Sequence, residues 1–195
     1  MMPQTDLKFK QGTEAIKGLI RWSSLTELEH HSKAIDIALV EGTKGKSPMH
    51  ASGMALILLA SESFRITLKV FYTPGSCRGL MSNKGKFATG EVSEAWIADF
   101  MKELMNMTAG SVKRYLNAMN VRVGLSLPLV MLGFDDIYET EFMNSPVCER
   151  DTWTLETREC DLIFKATLEI FNSDVISDLS WAPPQAIVDT DVEFL

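Results

Sequence analysis

Residues 102–110 read KELMNMTAG, and the two side chains in that run best suited to chemistry are Glu103 and Asn106. A carboxylate offers a charged anchor for a cation, and an amide can both donate to and accept from a single water molecule. Three residues apart on a helix, their Cβ atoms lie roughly 5–6 Å from each other on one face. Gly110 follows one turn later, at a position where a helical glycine costs roughly 1 kcal/mol relative to alanine. That cost calls for a close approach, either by another part of the chain or by a partner. Taken alone, such a pair also reads as the solvated surface of an ordinary helix.

The element that must hold these residues is an amphipathic stretch from about Glu91 to Asn117. At 100° per residue, Ile97, Met101, Leu104, Met105, Thr108, Val112 and Tyr115 share one arc, which packs on a sheet. Opposite them run Asp99, Glu103, Asn106, Gly110 and Lys113, with Phe100 and Met107 on the border of the stripe. The methionines fit core and border packing better than a cofactor site.

The surrounding chain supplies the sheet. Strand character is expected at 34–40, 54–61 and 64–72, the last two as a hairpin. In its second strand Ile66, Leu68, Val70 and Tyr72 share one buried face, and Arg65, Thr67 and Lys69 the other. Residues 73–85 read as a loop with a short helical turn. The apolar run 123–133 contains Pro128, which predicts an edge or irregular strand. Residues 152–160 and 162–171 form a second hairpin turning near Asp161. Before the sheet, residues 1–12 are polar and expected to be mobile. A helix from Thr13 to about Leu28 follows, with an interruption at Ser23–Ser24, where Ser24 and Glu27 match a capping box. After it, 172–195 turns acidic and reads as a loosely packed tail that Trp181 could anchor. The expected organisation is thus an extension, 1–32, a domain, 33–171, and an acidic tail, 172–195.

Bulk properties exclude several classes. The net charge is −7 and no basic run exceeds a pair, which argues against nucleic acid as a partner. The longest apolar stretches fall well short of the roughly 20 residues of a bilayer-spanning helix, and the first twelve residues hold no apolar signal core, so no membrane insertion and a cytoplasmic location are expected. Cys77, Cys148 and Cys160 are odd in number and unpaired in spacing, as reduced thiols would be. Gly45-Lys46-Ser47 suggests a phosphate loop, but Val40 stands where its first glycine would have to be.

The string Glu103-x-x-Asn106-x-x-x-Gly110, followed by Leu125-Ser126-Leu127-Pro128, resembles the signature of the CheC/CheX/FliY family of chemotaxis phosphatases. The order of hairpin, long helix, LSLP strand and closing hairpin fits that family over about residues 33–171. The resemblance implies an α+β, two-layer, CheC-like fold, with the long helix packed on a mixed, largely antiparallel sheet. CheC-like members carry two such helices and CheX-like members one. Here the early region TELEHHSKA (26–34) has His30 three residues after Glu27, where Asn would be required. The chain therefore resembles the single-motif, CheX-like members.

Members of the family dephosphorylate the phosphoaspartate of the CheY-type receiver domain. Carried over, the resemblance implies that Asn106 orients the attacking water and that Glu103 pairs with a receiver lysine. Asp99, Phe100, Met107 and Gly110 would contact the partner. No cofactor of its own is expected, since Mg2+ belongs to the phosphorylated receiver, and a homodimer is expected. The rival readings are a non-catalytic dimeric adaptor that uses the same helix face, and an unrelated structural protein.

Overall fold

The structure, a computed structural model, describes residues 4–32, 34, 36–43, 45, 51–82, 92–132 and 147–184. Among the described residues, four helices and seven strands follow in the order α1 (Gln4–His31), β1 (Ala38–Glu41), β2 (Gly53–Ala60), β3 (Phe64–Tyr72), α2 (Pro74–Ser82), α3 (Glu94–Ala118), β4 (Gly124–Leu125), β5 (Leu129–Leu132), β6 (Val147–Glu156), β7 (Asp161–Ile170) and α4 (Ser173–Ser177). The strands form one sheet in the order β1-β6-β7-β3-β2-β4, with β5 also on β2. Every pairing among the described strands is antiparallel. The largely antiparallel, two-layer α+β expectation therefore holds, and the mixed component is absent among these strands.

The chain order repeats itself. Each half runs helix, short edge strand, hairpin: α1, β1, β2–β3, then α3, β4 with β5, β6–β7. The halves exchange their short strands, because β1 pairs with β6 of the second half while β5 pairs with β2 of the first. Strands β3 and β7 join the halves at the centre. Both long helices pack on one face of the sheet, with Ile16, Leu19, Ile20 and Leu28 of α1 sharing a core with Ile97, Met101, Leu104, Met105 and Val112 of α3. Helix α1, set apart by the sequence as an extension, is part of this core.

Several local expectations are corrected. Helix α1 starts at Gln4 instead of Thr13 and runs unbroken through Ser23–Ser24. Ser24 caps no second helix; its hydroxyl donates to the Arg21 carbonyl at 2.7 Å and accepts from Trp153 Nε1 at 3.0 Å. The first strand begins at Ala38, not 34, after Asp36 takes a left-handed φ of 64°. Residues 74–82 form a full helix in place of a loop with one turn. The closing hairpin turns over 157–160, where the Thr157 hydroxyl donates to the Cys160 carbonyl and accepts from the Cys160 N–H. The opposite face of the first hairpin is not all open, since Lys69 is only 4% exposed and Phe71 packs with Met54 and Ile163.

The run containing Pro128 is an irregular edge, as its proline requires. It divides into β4 and β5, both on β2, and Ser126 bridges the gap: its N–H donates to Leu58 O at 2.9 Å and its hydroxyl accepts from Leu58 N at 3.0 Å. Residues 46–50, 83–91, 133–146 and 185–195 lie outside the described residues, and with them the end of the loop expected at 73–85, the expected start of the long helix at Glu91 and the end of the acidic tail.

Part of 172–184 is packed, through Ile176, Leu179 and Trp181, while 182–184 are exposed. Asn172 caps α4 by accepting from Asp174 N at 3.0 Å, and Ile176 is fully buried. Trp181 does anchor the segment, lying 5.9 Å from Trp22 and against Gly18. Gly12 admits α4, because a Cβ there would overlap the Ile176 carbonyl. This reverses the usual sign of a helical Gly→Ala change, which otherwise stabilises by roughly 1 kcal/mol. Gly12→Ala is expected to destabilise the fold by about 1–3 kcal/mol in urea denaturation, as overpacking does. A stabilised variant would mean that α4 does not dock on α1.

Candidate functional site

Helix α3 begins at a defined cap, where Ser93 Oγ accepts from Trp96 N at 3.3 Å. It ends with Asn120 in a left-handed conformation, φ 62°, and Val121 N donating back to Leu116 O at 2.9 Å. Between these ends its inward face is sealed: Ile97, Met101, Leu104, Met105, Thr108, Ala109, Ser111, Val112 and Leu116 are buried. That face lies mainly over β2, flanked by α1 and α2.

The outward face carries the expected residues. Glu103 and Asn106 are both exposed, and neither side chain has a hydrogen-bond or ion-pair partner among the described residues. Asp99 is exposed and held by Lys102 at 3.0 Å. Met107 is half-buried beside the pair, whereas Phe100 leans into the core edge. A Cβ at Gly110 would meet nothing within 4 Å. No described element of this chain takes up that space.

Two residues on the stripe escaped the sequence reading as site candidates. Trp96 stands seven residues before Glu103, and Lys113 seven after Asn106. Seven residues close two helical turns to within about 20°, so the 96-99-103-106-110-113 spacing was the available signal. Trp96 is 43% exposed.

The repeat in the fold also identifies the counterpart of this face on α1, and it is not the Glu27–His30 pair. Glu27 is 5% exposed and points inward, 3.6 Å from Arg114 Nη2 and 3.3 Å from His31 Nε2. Matching the buried positions sets Ile16, Leu19, Ile20, Ser23 and Ser24 against Met101, Leu104, Met105, Thr108 and Ala109. Gly18 then matches Glu103, and Arg21 matches Asn106. Neither is available: Trp181 covers Gly18, and Arg21 is held by both Asp151 oxygens, at 2.7 and 2.6 Å, and by Glu41 at 2.6 Å. These carboxylates, Asp151 foremost, raise the Arg21 pKa.

Away from these faces, Cys77 Sγ lies 3.5 Å from Cys160 Sγ. That contact lowers the Cys77 pKa and raises that of Cys160. Among the described residues no group of three His, Cys, Asp or Glu could hold a metal ion, and no helix is long and apolar enough to cross a membrane.

Solved structures resemble the chain closely in fold and weakly in sequence. The chemotaxis protein CheX from Vibrio vulnificus superposes with a TM-score of 0.62 at 15% identity, covering 79% of this chain and 99% of that one. The chain has the CheX fold. CheX from Borrelia burgdorferi, solved in a complex with CheY, BeF3 and Mg2+, gives a TM-score of 0.58 at 12% identity over 78% of this chain and 96% of that one. FliY from Thermotoga maritima gives 0.52 at 17% identity over 90% and 93%. No protein-family model and no curated protein matches the sequence. The fold expected from the CheC/CheX/FliY resemblance is thereby present.

Proposed function

We propose that this chain is a CheX-like phosphatase that hydrolyses the phosphoaspartate of a CheY-type receiver domain, in chemotaxis or related two-component signalling. The observation that carries the reading is the Glu103–Asn106 pair, exposed and unpartnered among the described residues on the outer face of α3 in a CheX fold. The Borrelia CheX complex with CheY supports a receiver as the partner. In this reading the protein works in the cytoplasm as a homodimer.

Phosphoryl transfer is catalysed mainly by positioning and electrostatic stabilisation. Mg2+ in the receiver would neutralise charge on the phosphoryl oxygens. Glu103 anchors the docked helix on a receiver cation. Asn106 then holds one water in line with the phosphorus–carboxylate bond, accepting from it through Oδ1 and donating through Nδ2. Attack forms the new phosphorus–oxygen bond as the bond to the aspartate breaks, releasing phosphate and a free carboxylate. An aspartate at 106 would set negative charge against the phosphoryl group, and a basic side chain could not accept the water's hydrogen bond.

The test is phosphoaspartate decay in receivers from the same organism, with and without this protein. Acceleration that depends on Asn106 supports the reading. Binding to a receiver without acceleration would assign the protein to the non-catalytic adaptors.

A further inference from the structure

The motif stripe does not stop at Gly110. Lys113 lies in line with Asn106, and Asn117 with Gly110, because each pair is seven residues apart. Below them the chain leaves α3 through the left-handed Asn120 and brings Arg122 alongside. Lys113, Asn117, Asn120, Arg122 and Val123 line a groove of about 620 Å3. A second groove of about 530 Å3 continues from it past Asn120 and Arg122, reaching Glu62.

The chemistry of the first groove runs against that of the molecule. The chain holds 26 acidic and 19 basic residues, yet among the described residues this groove is lined by two cations, two amides and no carboxylate. Neither Lys113 nor Arg122 has an ion-pair partner among the described residues, so both charges are open to a visitor. Cations near a helix C-terminus do offset its dipole. The dipole alone does not require Lys113 on the same outward line as Asn106. Along the axis, Glu103 and Lys113 are about 15 Å apart at 1.5 Å per residue, with Asn106 between them.

We infer that this groove takes a carboxylate-bearing segment of the same receiver whose active site meets Asn106. The inference rests on the proposed function. The docking face is then bipolar: Glu103 engages a cation at one end, and Lys113 with Arg122 engages acid at the other. A helix docked in the reverse sense would meet like charge at both ends, and such juxtaposition suppresses wrong arrangements as well as wrong partners. The groove thus sets the polarity of docking and selects receivers with an acidic surface beside the active site.

The experiment uses the full chain and receiver domains from the same organism, activated with beryllofluoride and Mg2+ for binding and phosphorylated for turnover. Lys113→Glu/Arg122→Glu is expected to weaken binding about tenfold or more, raising KM while kcat is kept, and to reduce the salt dependence of binding. Arg158→Glu, a charge change on the remote β6–β7 turn, is expected to leave both measurements unchanged. Wild-type affinity, KM and salt dependence in the double variant would overturn the groove assignment and leave the phosphatase reading standing. An equal loss in Arg158→Glu would also overturn it, by showing an effect of net charge. A wild-type chain that binds no receiver would overturn the function proposal, and this inference with it.

Discussion

Asn106→Ala is expected to slow receiver dephosphorylation about 100-fold, the scale of loss when one positioned donor is removed from a reacting centre. The change should leave the fold untouched. Asn106 is exposed and partnerless among the described residues, and surface substitutions of that kind stay within about 0.5 kcal/mol. Alanine is also the better helix former. A thermal melt matching wild type would therefore place the loss in the chemistry, and binding to a beryllofluoride-activated receiver should survive. Glu103→Ala is expected to divide differently, with weaker binding and a higher KM, because an anchor acts before the water is placed. Activity retained in the Glu103→Ala/Asn106→Ala double variant would sink the site.

The largest effect on stability is expected at Trp153. Its side chain is fully buried on β6, stacked on Phe164 of β7 at 5.3 Å with the rings 10° from parallel. Its indole N–H donates to Ser24 on α1 at 3.0 Å, so one residue ties a sheet strand to the helix packed over it. Trp153→Ala removes an aromatic volume that rigid neighbours cannot refill, and is expected to cost about 3–5 kcal/mol. That is a large part of the roughly 5–15 kcal/mol that holds a domain folded. Trp153→Phe keeps the stacking and loses the hydrogen bond, so its cost should be smaller. Urea midpoints for the two variants separate the contributions. Equal costs would assign the loss to the hydrogen bond and not to the ring.

What was legible in the sequence followed from periodicity. The inward arc of α3 is sealed nearly residue for residue, and the two hairpins announce themselves through alternation in 64–72 and 162–171. Pro128 marks the irregular edge because it can offer no N–H to β2. The misreadings share a cause: the deciding partner lies far away in the chain. Ser23 and Ser24 look like a break until Trp153, 129 residues on from Ser24, supplies the indole N–H. Residues 74–82 contain Gly75 and Gly79, so propensity opposes the helix; the structure sets Gly79 against the Glu159 side chain. The 172–184 segment reads as polar tail until Gly12 and Gly18 make room for Ile176 and Trp181. Of the candidate site, the Glu103–Asn106 pair was visible as two polar residues on one stripe. Its lack of partners among the described residues was not, since that depends on which faces its neighbours occupy.

The closure of the α1 face has a consequence for valency. The fold is built from two similar halves, and among the described residues the outer face of α3 is open whereas that of α1 is closed by Trp181 and by the grip of Asp151 and Glu41 on Arg21. Under the proposed function each chain takes one receiver, through α3, and any bridging of two receivers falls to a second copy of the chain in the proposed homodimer. A two-faced relative of the same fold could act as a crosslinker or a cooperative sink. This one spends half of its symmetry on holding itself together.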